Sequence, residues 1–441
     1  MSVDSSSSCS SSSSENGKGK AEWWHAWLHI FVSVVGAPAI ATLPLAFAYL
    51  GFWIGLIVWA YVTWASYYSG RLLIQLQGPN QATYARLADG VMGTGFAACW
   101  IRPFQFMVLY QVTIITALTI GSGIFSLQKL SGHVPMSLPV CTTVGGLVII
   151  LTSLLPSIAD MWRLSFLGGL TAVGFTITVL VACSAVILRG EGEHLGQDFR
   201  TVTLGHPTDG PDWIFGVLNS FGILAFSYGG HSVLPDVQAT LQESMAGHGD
   251  AQKGMQKALI WAYVLIIPCY LATAVLAYLA FGFHLTGFLP DNLQQEAHTP
   301  DSVIAALNVM LIVNTIALGA IYIQAGFNLV EDMIACWADR SYLFRFFTLR
   351  LPWVASATFI AVALPFFGDL AGLSGAIGFT PMTFVFPFLI WERSEFATRA
   401  SWWRHLLHAI LGISFCAMGV VAFAGALYLV IRDSANYHFF T

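Results

Sequence analysis

The sequence predicts an all-α membrane protein of eleven transmembrane helices: a five-plus-five inverted repeat, broken at the first and sixth helices, plus one peripheral helix. Three observations predict it. Charged residues make up 9% of 441, where a soluble domain carries roughly 25%. Eleven segments have about the 20 apolar residues that a helix needs to cross hydrocarbon. Two of them are interrupted, at Val35-Gly36-Ala37-Pro38-Ala39 and at Ser227-Tyr228-Gly229-Gly230-His231. A broken helix frees backbone polar groups, which lipid tolerates only where protein or a polar cavity replaces water. Paired breaks in corresponding halves point to a central solute site.

The elements follow in order. Residues 1–20, with the Ser-rich run Ser5–Ser14, cannot build a core and read as a disordered cytoplasmic tail. The apolar segments are 28–49, 52–76, 99–127, 137–156, 162–188, 212–242, 257–283, 302–331, 350–367, 370–391 and 403–431. Five precede the acidic loop 189–211 and five start at its end. An odd number of spans flips the second unit, so 21–188 and 212–391 read as inverted repeats, with 392–441 outside them.

Orientation follows from Lys and Arg, which favour the cytoplasmic side. With the N-terminus inside, fourteen fall inside, among them Arg71, Arg86, Arg102, Arg345, Arg350 and Arg404. Only Lys129, Arg189, Arg200 and Arg432 fall outside, and the C-terminus is extracytoplasmic. The 32 Phe, 15 Trp and 14 Tyr suit lipid-facing surfaces and interface belts. A net charge of −5 argues against nucleic acid as a partner. The scattered Cys form neither a metal pattern nor a disulfide framework. No Gly-rich phosphate loop, zinc motif or catalytic constellation occurs, so an enzyme and ATP-driven transport are both unsupported. The partners expected are the lipid bilayer and a small solute, with an ion gradient as the driving force and no cofactor.

At the first break Pro38 has no amide donor and clashes with the carbonyl of Val34, while Gly36 permits unusual dihedrals. The freed groups of residues 35–39 are expected to hold a carboxylate or ammonium; a simple proline kink is the alternative. At the second break, Gly229-Gly230 disfavours a continuous helix, and Pro235 sits near the start of a short second half. A helix N-terminus there favours an anion, hence a carboxylate-bearing solute.

Polar side chains within the spans supply further candidates. His231 and Asp236 are the proton-linked candidates. A hydrogen-bonded structural imidazole and a cytoplasm-side gating network are their respective alternatives. Tyr110 and Gln111 in the third span and Asn314 in the eighth read as pocket residues or as interhelical hydrogen bonds. Thr380, beside Gly378 and Pro381, marks a kinked patch in the tenth span suited to a gate.

The run FSYGGHSVLPDVQATL, Phe226 to Leu241, resembles the amino acid/auxin permease family, within the amino acid–polyamine–organocation superfamily. Gly230, His231, Asp236, Gln238, Ala239 and Thr240 occupy the family's motif positions; Asp236 stands where Glu is common, and Pro235 precedes it. Residues 33–52 and 378–391 are similar to the family's first- and tenth-helix signatures, and the likeness spans roughly 20–430. The resemblance, closest to plant-type and algal permeases, implies alternating access and amino acid import, usually with protons. It also implies carboxylate contacts at the first break and selectivity from the first, third, sixth and eighth helices. The expected function is proton-coupled symport of neutral amino acids or proline-like solutes, at the plasma membrane or at a vacuolar or other endomembrane. An auxin or other small-anion carrier and a transporter-like nutrient sensor are the alternatives.

Overall fold

The computed structural model describes residues 22–79, 81–132, 136–154, 161–190, 210–242, 248–334 and 340–436. The Ser-rich tail and most of the 189–211 loop lie outside the described residues. Every described regular element is helical. Among the described residues, eight helices are long and apolar enough to cross a membrane, and a bent pair makes a ninth.

That pair is α1 (Trp23–Val34) and α2 (Ala37–Leu50), which meet at 46°. Pro38 stands in the first turn of α2, where a missing amide costs no helical bond. Gly51, at φ 75°, then turns the chain into α3 (Phe52–Leu76). This conformation is open to glycine without steric cost, so the first two spans pack with almost no loop. A surface helix, α4 (Tyr84–Met92), leads to α5 (Thr94–Leu130), the short apolar α6 (Leu138–Thr152) and α7 (Trp162–Leu188).

The second half starts with α8 (Pro211–Ser227), a tight 3-10 turn over Gly229–Val233, and α9 (Leu234–Gln242). Next come α10 (His248–Phe281), the short α11 (Leu289–Gln295) and α12 (Asp301–Met333). The last are α13 (Tyr342–Ala363), α14 (Phe367–Glu392) and α15 (Trp402–Asn436). The ninth apolar segment reaches 367 in the sequence, but its helix ends at Ala363. Leu364 precedes Pro365 and leaves the helical region, as residues before proline do. Across Gly375–Val385 the turns of α14 widen to π geometry around Pro381.

The core is rich in fully buried tyrosines, and their hydroxyls need partners away from water. Tyr84 donates to the Met382 carbonyl at 3.0 Å, and Tyr228 pairs with the Thr63 hydroxyl at 2.6 Å. Tyr263 pairs with Ser66 at 2.5 Å. The outside is apolar: Ile57, Phe359 and Ile413 are each about 70% exposed, as lipid-facing side chains should be. Only 28% of the apolar window of α15 is buried, the smallest share among the spans, which sets that helix at the periphery. It rests on α8, where Gly425 lets the backbones meet: a Cβ there would lie 2.5 Å from the Asn219 amide nitrogen.

Basic residues gather at one end of the bundle. Arg86 pairs in bidentate fashion with Asp332, and Arg345 with Glu331 at 2.8 Å, tying α4 and α13 to the end of α12. Arg102 pairs with Asp89 at the same end. Lys129 stands in the last turn of α5 and Arg189 just after α7, at the opposite end, and Arg432 pairs with Asp212 on α8.

Candidate functional site

The two interruptions meet in the middle of the bundle. At the first, Val35 donates to the Phe31 carbonyl at 2.7 Å and Gly36 to that of Val34 at 2.9 Å. The Ala37 amide, freed by the break, donates to Asn314 Oδ1 at 2.6 Å. Asn314 Nδ2 in turn donates to the Gly168 carbonyl at 2.9 Å. Asn314 thus closes the N-terminus of α2 and ties it to α7 and α12.

The freed carbonyls are met by tyrosines. Tyr322 donates to the Ser33 carbonyl at 3.0 Å. The Tyr270 hydroxyl lies between the carbonyls of Val34 and Ser227, one from each break, at 2.8 Å from the latter. A hydroxyl has one proton, so two acceptors share it. Tyr270 and Tyr322 were not singled out from the sequence; a buried tyrosine in mid-span, which needs a hydroxyl partner, is the signal that marks them.

The breaks pass so closely that glycine is required. A Cβ on Gly229 would stand 2.2 Å from the Phe379 ring, and one on Gly230 would stand 2.5 Å from Val34. Beside them lies a small cavity of about 20 Å³. Ser33, Val34, Pro38 and Ala39 line it from the first break, and Phe226 from just before the second. Val112 and Ile115 of α5, Leu318 and Tyr322 of α12 and Phe379 of α14 complete the wall. No lining side chain is charged. A cavity needs at least about 10–15 Å³ to hold one water, so this one has room for little more. A solute the size of an amino acid therefore needs this space to widen before it fits.

Other expected site residues are placed as follows. Val35, Gly36 and Ala37 form the bend itself, with Gly36 packed against Leu318. Ser227 bonds back to the Ile223 carbonyl at 3.0 Å, and the Tyr228 side chain turns to α3. Gln111 Oε1 faces Gly378 and has no hydrogen-bond partner among the described residues. Tyr110 turns away from the breaks: its hydroxyl donates to Ser356 on α13 at 2.8 Å and its ring packs on Trp353. Thr380 donates to the Gly375 carbonyl at 2.7 Å and faces Gly419 of α15, outside the cavity.

The two proton-linked candidates sit beyond the second break. His231 Nε2 lies 2.9 Å from the Ser66 carbonyl, and Nδ1 lies 3.3 Å from that of Tyr228. A neutral imidazole carries one N–H, so it satisfies one of these carbonyls; an imidazolium satisfies both. Asp236 is 5% exposed with no cationic partner, and its Oδ2 has no donor among the described residues. Gln77 donates to the Pro235 carbonyl, Gln105 to that of Ser232 and Gln238 to that of Ile74. The Oε1 atoms of these three glutamines also lack donors. The region around α9 thus holds several buried acceptors without a donor among the described residues.

A sequence profile described as "Transmembrane amino acid transporter protein" matches residues 19–432. The chain belongs to this family, the amino acid/auxin permeases. It is 27% identical to GABA transporter 1 of Arabidopsis thaliana, over 96% of this chain and 94% of that protein. It is 28% identical to Lysine histidine transporter-like 6 of the same organism, over 97% and 94%. Amino acid permease 2, also from Arabidopsis thaliana, is 24% identical over 94% and 88%. Among solved structures, a substrate-bound, outward-open Na+-coupled sialic acid symporter superposes with a TM-score of 0.55 at 13% identity, over 95% of this chain and 90% of that one. MhsT in complex with L-phenylalanine gives 0.55 at 12% identity, over 92% and 100%. The fold is that of membrane transporters, and family membership makes the chain a multi-pass amino acid transporter.

Proposed function

We propose that the chain is a proton-coupled symporter of neutral amino acids or proline-like solutes, working by alternating access between two five-span repeats and completed by an eleventh, peripheral helix. The observation that carries this reading is the uncharged cavity between the breaks. A lysine-like side chain buried there would lack a counter-ion, at a cost of several kcal/mol; an aliphatic one would not. Val34 and Ser227 carbonyls, now held by Tyr270, are acceptors suited to a solute ammonium once the helices part. Of the amides at the first break, that of Ala37 suits its carboxylate: a side chain, Asn314, holds it now, whereas those of Val35, Gly36 and Ala39 donate to backbone carbonyls and Pro38 has none.

The acceptor-rich zone around Asp236 and His231 supports a proton as the coupling ion. Proton uptake drives the cycle only if the two conformations differ in proton affinity. A buried, unpaired carboxylate supplies such a difference when opening exposes it to water. Asp236 is thus the proton carrier and His231 the element that senses its state across the break. The basic end of the bundle faces the cytoplasm, and the plasma membrane or an endomembrane is the site of action.

Uptake into proteoliposomes with an imposed pH gradient tests the proposal. Alanine and proline should accumulate, lysine and indole-3-acetate should not, and a sodium gradient should not replace protons. Accumulation of the indole acid, or binding without any flux, would replace this reading with a small-anion carrier or a sensor. Asp236→Asn should abolish pH-driven accumulation and keep counterflow exchange; undiminished accumulation would remove Asp236 from the coupling.

A further inference from the structure

A second cavity, polar and of about 100 Å³, opens at the basic end and is lined by no residue of the two breaks. Tyr68, Arg71, Leu72 and Gln75 of α3, Gln256 of α10 and Arg404 of α15 line it. Two guanidiniums thus border one small space with no carboxylate among the lining residues. We propose that this cavity binds a phosphate-type anion, and that the head group of an anionic phospholipid supplies it.

Three observations carry the assignment. Arginine forks match phosphate oxygens in pairs, and two glutamine amides add further donors. Arg71 has no acidic partner among the described residues. Arg404 is held in place over the Trp391 ring, 5.2 Å from its centroid, and lines the cavity with Tyr68. The site is therefore built before any anion arrives.

Size and surroundings favour a lipid over a free ion. Pockets that enclose a whole organic ligand start at roughly 300 Å³. This one suits a single head group whose remaining bulk stays outside. Around it stand Trp64 on α3, 46% exposed, and the stacked Trp402 and Trp403 that open α15, both about 60% exposed. Exposed tryptophans mark the level of lipid head groups. Basic pockets between helices at that level are suited to phosphorylated head groups.

Occupancy would reach three spans through a hydrogen-bonded chain. The Tyr68 hydroxyl bonds His408 Nε2 at 2.7 Å, and His408 Nδ1 bonds Glu392 at 2.6 Å. Glu392 also accepts from His405. A head group on Tyr68 and Arg404 thus braces α3, α14 and α15 together. This site is independent of the solute and proton sites above.

Thermal unfolding of the purified protein in zwitterionic detergent tests the proposal. Added phosphatidic acid should raise the wild-type midpoint, and phosphatidylcholine should not. Arg71→Gln, which removes no ion pair among the described residues, should keep the lipid-free midpoint and lose most of the rise. Gln256→Leu, on a different helix, should weaken the rise as well and stands in if Arg71→Gln does not fold. Native mass spectrometry should show retained phosphatidic acid on the wild type and its loss in the variants. A rise with inorganic phosphate alone, lost in Arg71→Gln, would keep the anion site and overturn the lipid as its source. An equal rise in wild type and variants, or none with either anion, would overturn the site.

Discussion

Tyr270 does what no residue of the two motifs does by itself: its hydroxyl joins the Val34 and Ser227 carbonyls and so holds both broken spans together. Tyr270→Phe keeps the ring and removes the proton. Ser227 O then loses its side-chain donor in a dry interior, a loss of about 1–3 kcal/mol. The thermal midpoint in detergent should fall accordingly; a midpoint equal to that of wild type would show that the bridge contributes nothing. At this scale the sequence was partly legible. Asn314 stands out as an amide in the middle of an apolar helix, and its contact with the first break follows from the need to satisfy the Ala37 amide. Tyr110 and Thr380 carry equally conspicuous polar groups, yet they face α13 and α15. A polar residue announces that it needs a partner, not which helix supplies one.

The elements turn on where each helix stops. Pro38 in the first turn of α2, and the glycine pair after Tyr228, place both breaks where local chemistry demands. Those positions are readable because helix interruption is decided by a few adjacent residues. What the glycines accommodate is not local. Gly229→Ala would drive a methyl into the Phe379 ring of α14, with a cost typical of overpacking, about 1–3 kcal/mol. Solute uptake should fall well below wild type, and Phe379→Leu in the same chain should restore part of it. Failure of the second change to rescue would mean that Gly229 matters for its backbone and not for its clearance.

At the scale of the whole molecule, charge and lipid exposure set the frame. Arg86, Arg102 and Arg345 share one end with their acidic partners, while Lys129 lies at the far end of α5. A membrane-impermeant amine reagent applied to intact cells should therefore modify Lys129 and spare Lys253. Reversed labelling would invert the orientation and the direction assigned to transport. The cavity of about 20 Å³ adds that the space between the breaks is too small for an amino acid as it stands. Its walls come from six helices of both halves, so movement of one half against the other changes its size more than any single side chain does.

By itself the sequence determined the solvent, the positions of the two breaks and the bias of charge, because each depends on composition or on neighbours along the chain. Tertiary structure alone decided who answers the freed backbone groups. Asn314 reaches Ala37 across 277 positions, Tyr322 reaches Ser33 across 289, and Arg71 shares a pocket with Arg404. Such pairings depend on which helices lie side by side, and helices that are apolar on nearly every face carry little in their own pattern to say which neighbour each will take.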